Sequence, residues 1–214
     1  MSGKLIVFEG TDGSGKATQS RLLFERLQRE GTDCQKLDFP RYGNPAAAPL
    51  EMYLRGAFGT HPDDVNAYAA STFFAVDRYA SYKQDWGKYY EAGGLLIADR
   101  YTTSNAVHQA GKLPDGEREK YLDWLFGFEY GLLGLPEPSL VFYLDVPTEL
   151  TERLMRERER AQRPTSTSRT RPTCAPAAKT RARSPSASPG SASTAQKMER
   201  CARSKIFTRR SIAS

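Results

Sequence analysis

The sequence has few of the features expected of a secreted or membrane-embedded protein. Its 214 residues include only three cysteines, Cys34, Cys174 and Cys201, and no two of them have the CxxC spacing of a metal site. A scattered, odd set of cysteines is typical of a reducing compartment and predicts a cytoplasmic protein. No apolar run approaches the roughly 18 residues of a membrane span, and Met1–Lys4 lead directly into an apolar segment. We therefore expect neither a signal peptide nor a membrane partner.

Acidic residues are nearly absent from the last quarter of the chain. Residues 161–214 contain twelve Lys and Arg but a single acidic residue, Glu199, whereas residues 1–160 carry 19 basic and 24 acidic side chains. In the same segment 32 of 54 residues are Ala, Ser, Thr or Pro, a composition that buries too little apolar surface to offset the entropy of ordering. The pattern predicts a globular domain over 1–160 and a basic, irregular tail over 161–214.

The first 160 residues alternate between short apolar runs and longer amphipathic segments, which predicts an α/β fold with a parallel sheet covered on both faces. The predicted strands are 5–8, 35–39, 95–99 and 140–145. The predicted helices are 16–30, 64–90, 117–130 and 148–160. Because ligands of such folds bind at the carboxyl ends of the strands, these ends are where we expect the functional residues.

A glycine-rich segment follows the first predicted strand and opens the first helix. It has the G-x-x-x-x-G-K pattern of a phosphate-binding loop, in which backbone N–H groups and the helix N-terminus surround phosphate oxygens. The sequence therefore predicts a three-layer P-loop NTPase fold with ATP as ligand. The expected ATP contacts are Gly10, Thr11, Asp12, Gly13, Ser14, Gly15, Lys16, Ala17 and Thr18.

Two positions of this loop decide its chemistry. Lys16 is expected to bridge the β- and γ-phosphates as a catalytic residue. The next position usually supplies a Ser or Thr hydroxyl to Mg²⁺, but here it is Ala17. Thr18 or a water molecule could replace that ligand, so the substitution affects the expected metal coordination rather than phosphate binding.

Asp99-Arg100-Tyr101 ends the third predicted strand. An acid at this place could act on Mg²⁺ or on its water, and an arginine could hold a phosphate with two hydrogen bonds. The alternative is an ordinary salt bridge at a strand end. We expect Asp99 to be the metal-binding residue and Arg100 to contact phosphate.

Five ordered segments together resemble the thymidylate kinase family over residues 1 to about 160. They are Phe8-Glu9-Gly10 with the phosphate loop, Phe39-Pro40-Arg41-Tyr42, Phe73-Phe74-Ala75-Val76-Asp77-Arg78, Asp99-Arg100-Tyr101 with Ser104-Asn105, and Tyr143-Leu144-Asp145-Val146-Pro147. The resemblance implies a nucleoside monophosphate kinase that phosphorylates dTMP to dTDP with ATP and Mg²⁺, in the biosynthesis of dTTP. It also implies a homodimer formed through the long helix at 64–90.

The resemblance assigns roles to individual residues. Phe74 would stack on thymine and Arg78 would hold the base or the dTMP phosphate, although Phe74 could instead be a core residue beside Phe73. Arg41 and Arg100 would bind the acceptor phosphate, and Asp12 would lie by it and the sugar. Asp12 and Arg100, like Lys16, are expected to be catalytic. Asn105 would contact the base edge. The resemblance also places five further residues at the dTMP site: Phe39, Pro40, Leu54, Ser104 and His108.

The phosphate loop contains no arginine between Gly10 and Lys16. Family members of this kind resemble the bacterial type, which supplies a catalytic arginine from a lid after the fourth strand, here about 148–163. Arg156 and Arg160 are our candidates for catalysis, and Arg153 and Arg158 lie on the same segment. The alternative for most of them is a solvated helix with i,i+4 ion pairs.

The resemblance ends where the composition changes. Pro164–Arg171 can be encoded so that reading two nucleotides later gives DIHEQDE, and the same offset turns 197–211 into DGALRPVEDIHEEV, both similar to the family's C-terminal segments. We therefore hypothesise a frameshift near 160–163, which the gene sequence would test. The rival is a genuine basic tail that binds nucleic acid only nonspecifically.

A frameshifted chain would lack the last helices that cover the domain. We expect such a chain to be poorly stable and weakly active, because apolar surface meant to be covered would be exposed. Two alternatives to a dTMP kinase remain open at the level of sequence: another P-loop nucleoside or nucleotide kinase, and a noncatalytic product that binds nucleotide or nucleic acid.

Overall fold

The computed structural model describes residues 2–61 and 63–162. The predicted tail, 161–214, and the hypothesis of its frameshift therefore fall outside the described residues, apart from positions 161 and 162. Four strands form one sheet: β1 (Lys4–Gly10), β2 (Cys34–Asp38), β3 (Leu95–Asp99) and β4 (Leu140–Leu144). They lie in the order β2-β3-β1-β4, and each pairing is parallel.

Seven α-helices are present in the described part of the chain. They are α1 (Lys16–Arg29), α2 (Ala48–Leu54), α3 (Ala67–Ser81), α4 (Gly87–Glu91), α5 (Thr102–His108), α6 (Asp115–Phe126) and α7 (Thr148–Gln162). Short 3₁₀ turns precede α2 and α6, and π-helical turns follow α3 and α6. None of the described helices has the length and apolarity to cross a membrane.

Side chains of the central strand alternate between two apolar cores. Leu5 and Val7 join a cluster with Trp86 and Tyr101 on one face of the sheet. Phe8 lies in a second cluster with Cys34 and Ile97, and residues of α1 pack on this other face. The period of two follows from the pleat of a strand and gives the three-layer α/β arrangement that the sequence predicts.

The long helical segment predicted over 64–90 is interrupted. Its first helix begins at Ala67, because the side chain of Asn66 caps it by accepting a hydrogen bond from the Ala69 N–H at 2.8 Å. A π-helical turn, Tyr82–Trp86, separates α3 from α4. Helices α2 and α5 are absent from the sequence prediction. Both have seven residues, too few for a clear helical period.

A third apolar cluster joins α3, α5 and α6. It includes Ala67, Ala106, Tyr121 and Leu125, all almost completely buried. Small alanines allow the helices to approach closely, and Tyr121 places its hydroxyl 2.6 Å from that of Ser71. This packing positions α3 and α5 beside the carboxyl ends of β1 and β3.

Candidate active site

The phosphate loop connects β1 to α1, as its sequence predicts. Gly10, Gly13 and Gly15 have φ values of 149°, 80° and 89°, which residues with a side chain rarely adopt. Lys16 is buried, and its Nζ donates a 2.6 Å hydrogen bond across the loop to the carbonyl of Thr11. Burial lowers the pKa of Lys16, and the nearby charge of Arg100 lowers it further.

Helix α7 packs directly on this loop. A Cβ atom added to Gly13 would lie 2.8 Å from both the Thr151 carbonyl and the Met155 Cγ. A glycine is therefore required at residue 13 both by its positive φ and by the closeness of α7. The predicted lid segment thus begins against the phosphate loop.

Arg100 lies between the phosphate loop and α5. Its backbone has φ 67°, an uncommon value for a residue with a side chain and one that often accompanies functional sites. The guanidinium donates to the carboxylate of Asp12 and to the Ser104 hydroxyl at 3.3 Å, and its Nη1 lies 3.2 Å from the His108 Nε2. The structure thus brings together four of the residues predicted for the dTMP site.

Glu9 is a central residue of the site to which the sequence interpretation assigned no role. It is fully buried and accepts hydrogen bonds from the Ser104 hydroxyl at 2.7 Å and the Thr103 hydroxyl at 3.1 Å. One of its oxygens also lies 3.6 Å from the Arg100 guanidinium. Burial raises the pKa of Glu9, while the hydrogen bonds from Ser104 and Gly10 act in the opposite direction. A glutamate within an apolar strand is the signal that could have identified it.

Asp99 is the predicted metal-binding residue. Its Oδ1 atom is buried and accepts no hydrogen bond from the described residues. Burial raises the pKa of this carboxyl, and the charges of Arg100 and Lys16 oppose that rise. An unpaired buried oxygen suits a hard cation, and Mg²⁺ commonly takes only one or two carboxylates besides phosphates and water. The described residues contain no cluster of three acidic, histidine or cysteine side chains arranged for a metal.

Arg41 extends from the segment that follows β2. Its backbone N–H and Nε donate to the two oxygens of Asp77 at 2.9 and 3.1 Å, and its Nη1 donates to Asp85. The remaining nitrogen, Nη2, is buried and has no partner among the described residues. Arg41 also borders a cavity of about 500 Å³, together with Pro40 and Trp86. The structure therefore provides a fixed arginine with one donor still available.

The residues predicted to contact the base lie on two helices. Phe74 is half-buried on α3, with its ring centroid 6.3 Å from that of Tyr53. Arg78 follows one turn later but is only 1% exposed, and it forms a two-bond ion pair with Glu129. Asn105 is buried on α5, with its Nδ2 3.4 Å from the Ser71 carbonyl.

The other predicted site residues differ in how far they are exposed. Phe39 is buried, with its ring 5.9 Å from that of Tyr101, and the peptide bond to Pro40 is cis. Leu54 ends α2 and is 47% exposed. Ala17 and Thr18 are exposed in the first turn of α1.

The lid candidates all lie on α7. Arg153 forms an exposed i,i+4 pair with Glu157 at 3.5 Å, as the solvated-helix alternative predicts. Arg156 is exposed beside Met155, the residue that packs on Gly13. The backbone at Arg158 and Arg160 is helical, and their side chains lie outside the described part of the structure.

A phosphate loop between a parallel strand and a helix, with arginines from the ends of two further strands, defines a P-loop nucleotide phosphotransferase. A thymidylate kinase family model matches residues 8–175, more than three quarters of the chain. The chain belongs to the thymidylate kinase family, a group of nucleoside monophosphate kinases. The match extends beyond residue 160, where the sequence interpretation ends the domain.

Individual relatives agree with this assignment. A thymidylate kinase of Mycobacterium tuberculosis is 36% identical over 162 residues, covering 74% of this chain and 72% of the relative. The human thymidylate kinase is 32% identical over 145 residues, covering 67% of this chain and 61% of the human protein. A solved thymidylate kinase from Candida albicans superposes with a TM-score of 0.56 at 25% identity, over 71% of this chain and 66% of that one.

Proposed function

We propose that this chain transfers the γ-phosphoryl group of ATP to dTMP, giving ADP and dTDP for the synthesis of dTTP. The observation that carries the proposal is the position of Arg100. Its side chain contacts Asp12 in the phosphate loop and Ser104 and His108 on α5, so one cation lies where the donor and acceptor halves of the site meet. Phosphoryl transfer depends on such positioning and on neutralising charge between the two substrates.

The donor half consists of the phosphate loop and Lys16. Backbone N–H groups of residues 11–16 and the N-terminus of α1 favour a polyphosphate. Lys16 is held near this loop by its bond to the Thr11 carbonyl, and it would exchange that neutral acceptor for the β- and γ-phosphates. A charge-assisted hydrogen bond is stronger than one to a carbonyl, which favours the exchange.

The acceptor half consists of residues from β2, α3 and α5. Arg41 and Arg100 would hold the dTMP phosphate, and the buried Nη2 of Arg41 is a donor that such an anion would satisfy. Phe74 would supply an aromatic face for the base, with Arg78 and Asn105 at its polar edge.

Asp99 fits a role at Mg²⁺, directly or through water, because its Oδ1 has no hydrogen-bond partner in the described structure. When bound, the ion neutralises charge on the transferring phosphate oxygens. Ala17 offers no hydroxyl, so Thr18 or water would complete the coordination. Arg156 or Arg160 would approach from α7 to stabilise the transition state.

The decisive experiment is an ADP-release assay with ATP, Mg²⁺ and a panel of nucleoside monophosphates. We expect dTMP to be the preferred acceptor, and Lys16→Ala to reduce kcat by about 100- to 1000-fold. Preference for a purine or cytidine monophosphate would identify another P-loop kinase instead. Absence of ADP release with every acceptor, combined with salt-sensitive DNA binding, would support the noncatalytic alternative.

We also propose that the functional form is a cytoplasmic homodimer. The exposed face of α3 carries Val76 and Tyr79, which are 51% and 37% exposed, and apolar side chains grouped on a helix favour association. Sedimentation velocity of the purified chain tests this: a single monomeric species at micromolar concentration would contradict it.

A further inference from the structure

The guanidinium of Arg78 is buried, and one carboxylate accepts hydrogen bonds from two of its nitrogens. Its Nε and Nη2 donate to the two oxygens of Glu129 at 2.7 and 2.6 Å, and Glu129 itself is fully buried. Two parallel bonds fix the plane of a guanidinium as well as its position. Since the pair uses Nε and Nη2, it leaves the Nη1 edge of Arg78 to face other groups.

The aromatic ring of Tyr101 supports the same guanidinium from a second direction. The Cζ atom of Arg78 lies 5.9 Å from the centroid of this ring, within the range of a cation–π contact. Tyr101 is fully buried and immediately follows Arg100. Arg78 is thus restrained by two groups, neither of which lies on its own helix.

Glu129 connects Arg78 to the segment that carries Arg100. Besides its two bonds to Arg78, its Oε2 accepts a 2.8 Å hydrogen bond from the hydroxyl of Thr102, the first residue of α5. A single carboxylate therefore links α3, which carries Phe74, to the start of α5, two residues after Arg100.

The local backbone explains how a glutamate reaches this buried position. Glu129 belongs to the π-helical turn Gly127–Leu132 that continues α6. A π-turn widens the helix and shifts the faces of the residues within it, and such turns are frequent at functional sites. Its neighbours Phe128 and Tyr130 are aromatic, so the charged residue stands within an otherwise apolar segment.

We propose that Glu129 is a positioning residue for nucleotide recognition, which orients Arg78 toward the base of the bound monophosphate and, through Thr102, couples it to the Arg100 segment. The proposal rests on the proposed function, in which Arg78 lies at the polar edge of the base. In this proposal Glu129 makes no contact with the nucleotide itself and acts only through Arg78 and, by way of Thr102, through the segment that carries Arg100. An uncharged residue 129 leaves the guanidinium buried but poorly oriented.

Calorimetric titration of the full chain with dTMP, dCMP and ATP tests the proposal without requiring turnover. For Glu129→Gln we expect the Kd for dTMP to rise about tenfold, equal to 1.4 kcal/mol, with the Kd for ATP within about twofold of wild type. The preference for dTMP over dCMP should fall, because the two bases differ at the polar edge that an oriented donor distinguishes.

Two further variants separate positioning from loss of structure. Thr102→Val keeps the ion pair and removes one bond to Glu129, so we expect a smaller rise of about threefold in the Kd for dTMP, in line with one neutral hydrogen bond. Glu91→Gln is the matched control: Glu91 accepts a 2.7 Å bond from the Tyr82 hydroxyl, which is separate from the Arg78–Glu129–Thr102 contacts, and its loss should leave the Kd for dTMP unchanged.

The outcomes distinguish the two proposals. If the wild-type chain does not bind dTMP, the proposed function fails. If it binds dTMP and both Glu129→Gln and Thr102→Val bind it equally well, or lose dTMP and ATP affinity to the same extent, the positioning role of Glu129 is wrong and the function stands. Should circular dichroism find Glu129→Gln unfolded, the comparison of Thr102→Val with Glu91→Gln decides the matter.

Discussion

The centre of the sheet and its β4 edge are covered to different degrees. Five of the seven residues of β1 are buried, whereas all five residues of β4 are only half-buried. Helix α7, which follows β4, leaves Leu150, Leu154 and Met155 between 37% and 43% exposed. The residues proposed to bind nucleotide come mostly from the well-covered part, and the candidate lid arginines come from the exposed edge.

This difference in coverage predicts which part of the molecule an aberrant C-terminus would affect. The proposed nucleotide site is held by a buried ion pair and hydrogen bonds that join β1, α3, α5 and the π-turn after α6. None of these contacts requires residues beyond α6 and its π-turn. The β4–α7 edge carries the apolar surface that additional chain would cover, so impaired lid function is expected before loss of binding.

The largest expected difference between the two regions concerns their ion pairs. Arg78→Met should lower the free energy of unfolding by about 3–5 kcal/mol, because it leaves the buried Glu129 carboxylate unpaired. Arg153→Gln, which breaks an exposed pair on α7, should change it by less than about 0.5 kcal/mol. Urea unfolding of both variants measures the two values. Equal changes in the free energy of unfolding for the two variants would contradict the difference between the two regions that their burial predicts.

An intermediate effect on the stability of the domain is expected when the tail is replaced. Replacing residues 164–214 with the peptide of the shifted reading frame should stabilise the domain by about 2–3 kcal/mol, the value for covering the exposed parts of Leu150, Leu154 and Met155 together. Hydrogen exchange should slow in β4 and α7 and remain unchanged in β1 and β3. If the replacement stabilises nothing and slows no amide, the frameshift hypothesis loses its physical support.

The smallest expected effect on stability comes from a substitution at the contact between the phosphate loop and α7, where the two regions meet. Gly13→Ala places a methyl group where the Thr151 carbonyl and Met155 lie, at a φ of 80°, and should cost about 1–2 kcal/mol. We expect kcat to fall more than dTMP affinity, since α7 is displaced while the acceptor half is untouched. Gly111→Ala, at an open position, serves as the control. A fall in dTMP affinity equal to that in kcat would argue against separate regions.

The sequence was sufficient to predict the framework of the fold. All four strands lie within two residues of the predicted bounds, because buried parallel strands give continuous apolar runs flanked by turn residues. The end of α1 was also predicted: Gly31 has φ 78° and its N–H bonds to the Gln28 carbonyl at 3.0 Å. Motifs located the phosphate loop and Arg100, since both depend on local spacing.

Other parts of the site depend on contacts between distant residues. Arg78 and Glu129 are 51 positions apart, and Glu9 and Ser104 are 95 positions apart, so no local pattern connects them. The π-turns after α3 and α6 were missed because the apolar period continues through them. A glutamate among aromatics, as at Glu129, is a usable signal, since a charged side chain is rarely buried without a partner.

The pairing of the site arginines has a consequence for which anions can enter. Arg41 already bonds to Asp77 and Asp85, and Arg100 to Asp12. Apart from Arg41 Nη2, which has no partner among the described residues, an incoming phosphate reaches these arginines in competition with carboxylates of the protein. A free inorganic anion gains little from such an exchange, whereas a nucleotide adds the contacts of its base and sugar. The carboxylates that are already bonded to these arginines therefore favour the binding of a complete nucleotide over the binding of a free inorganic anion.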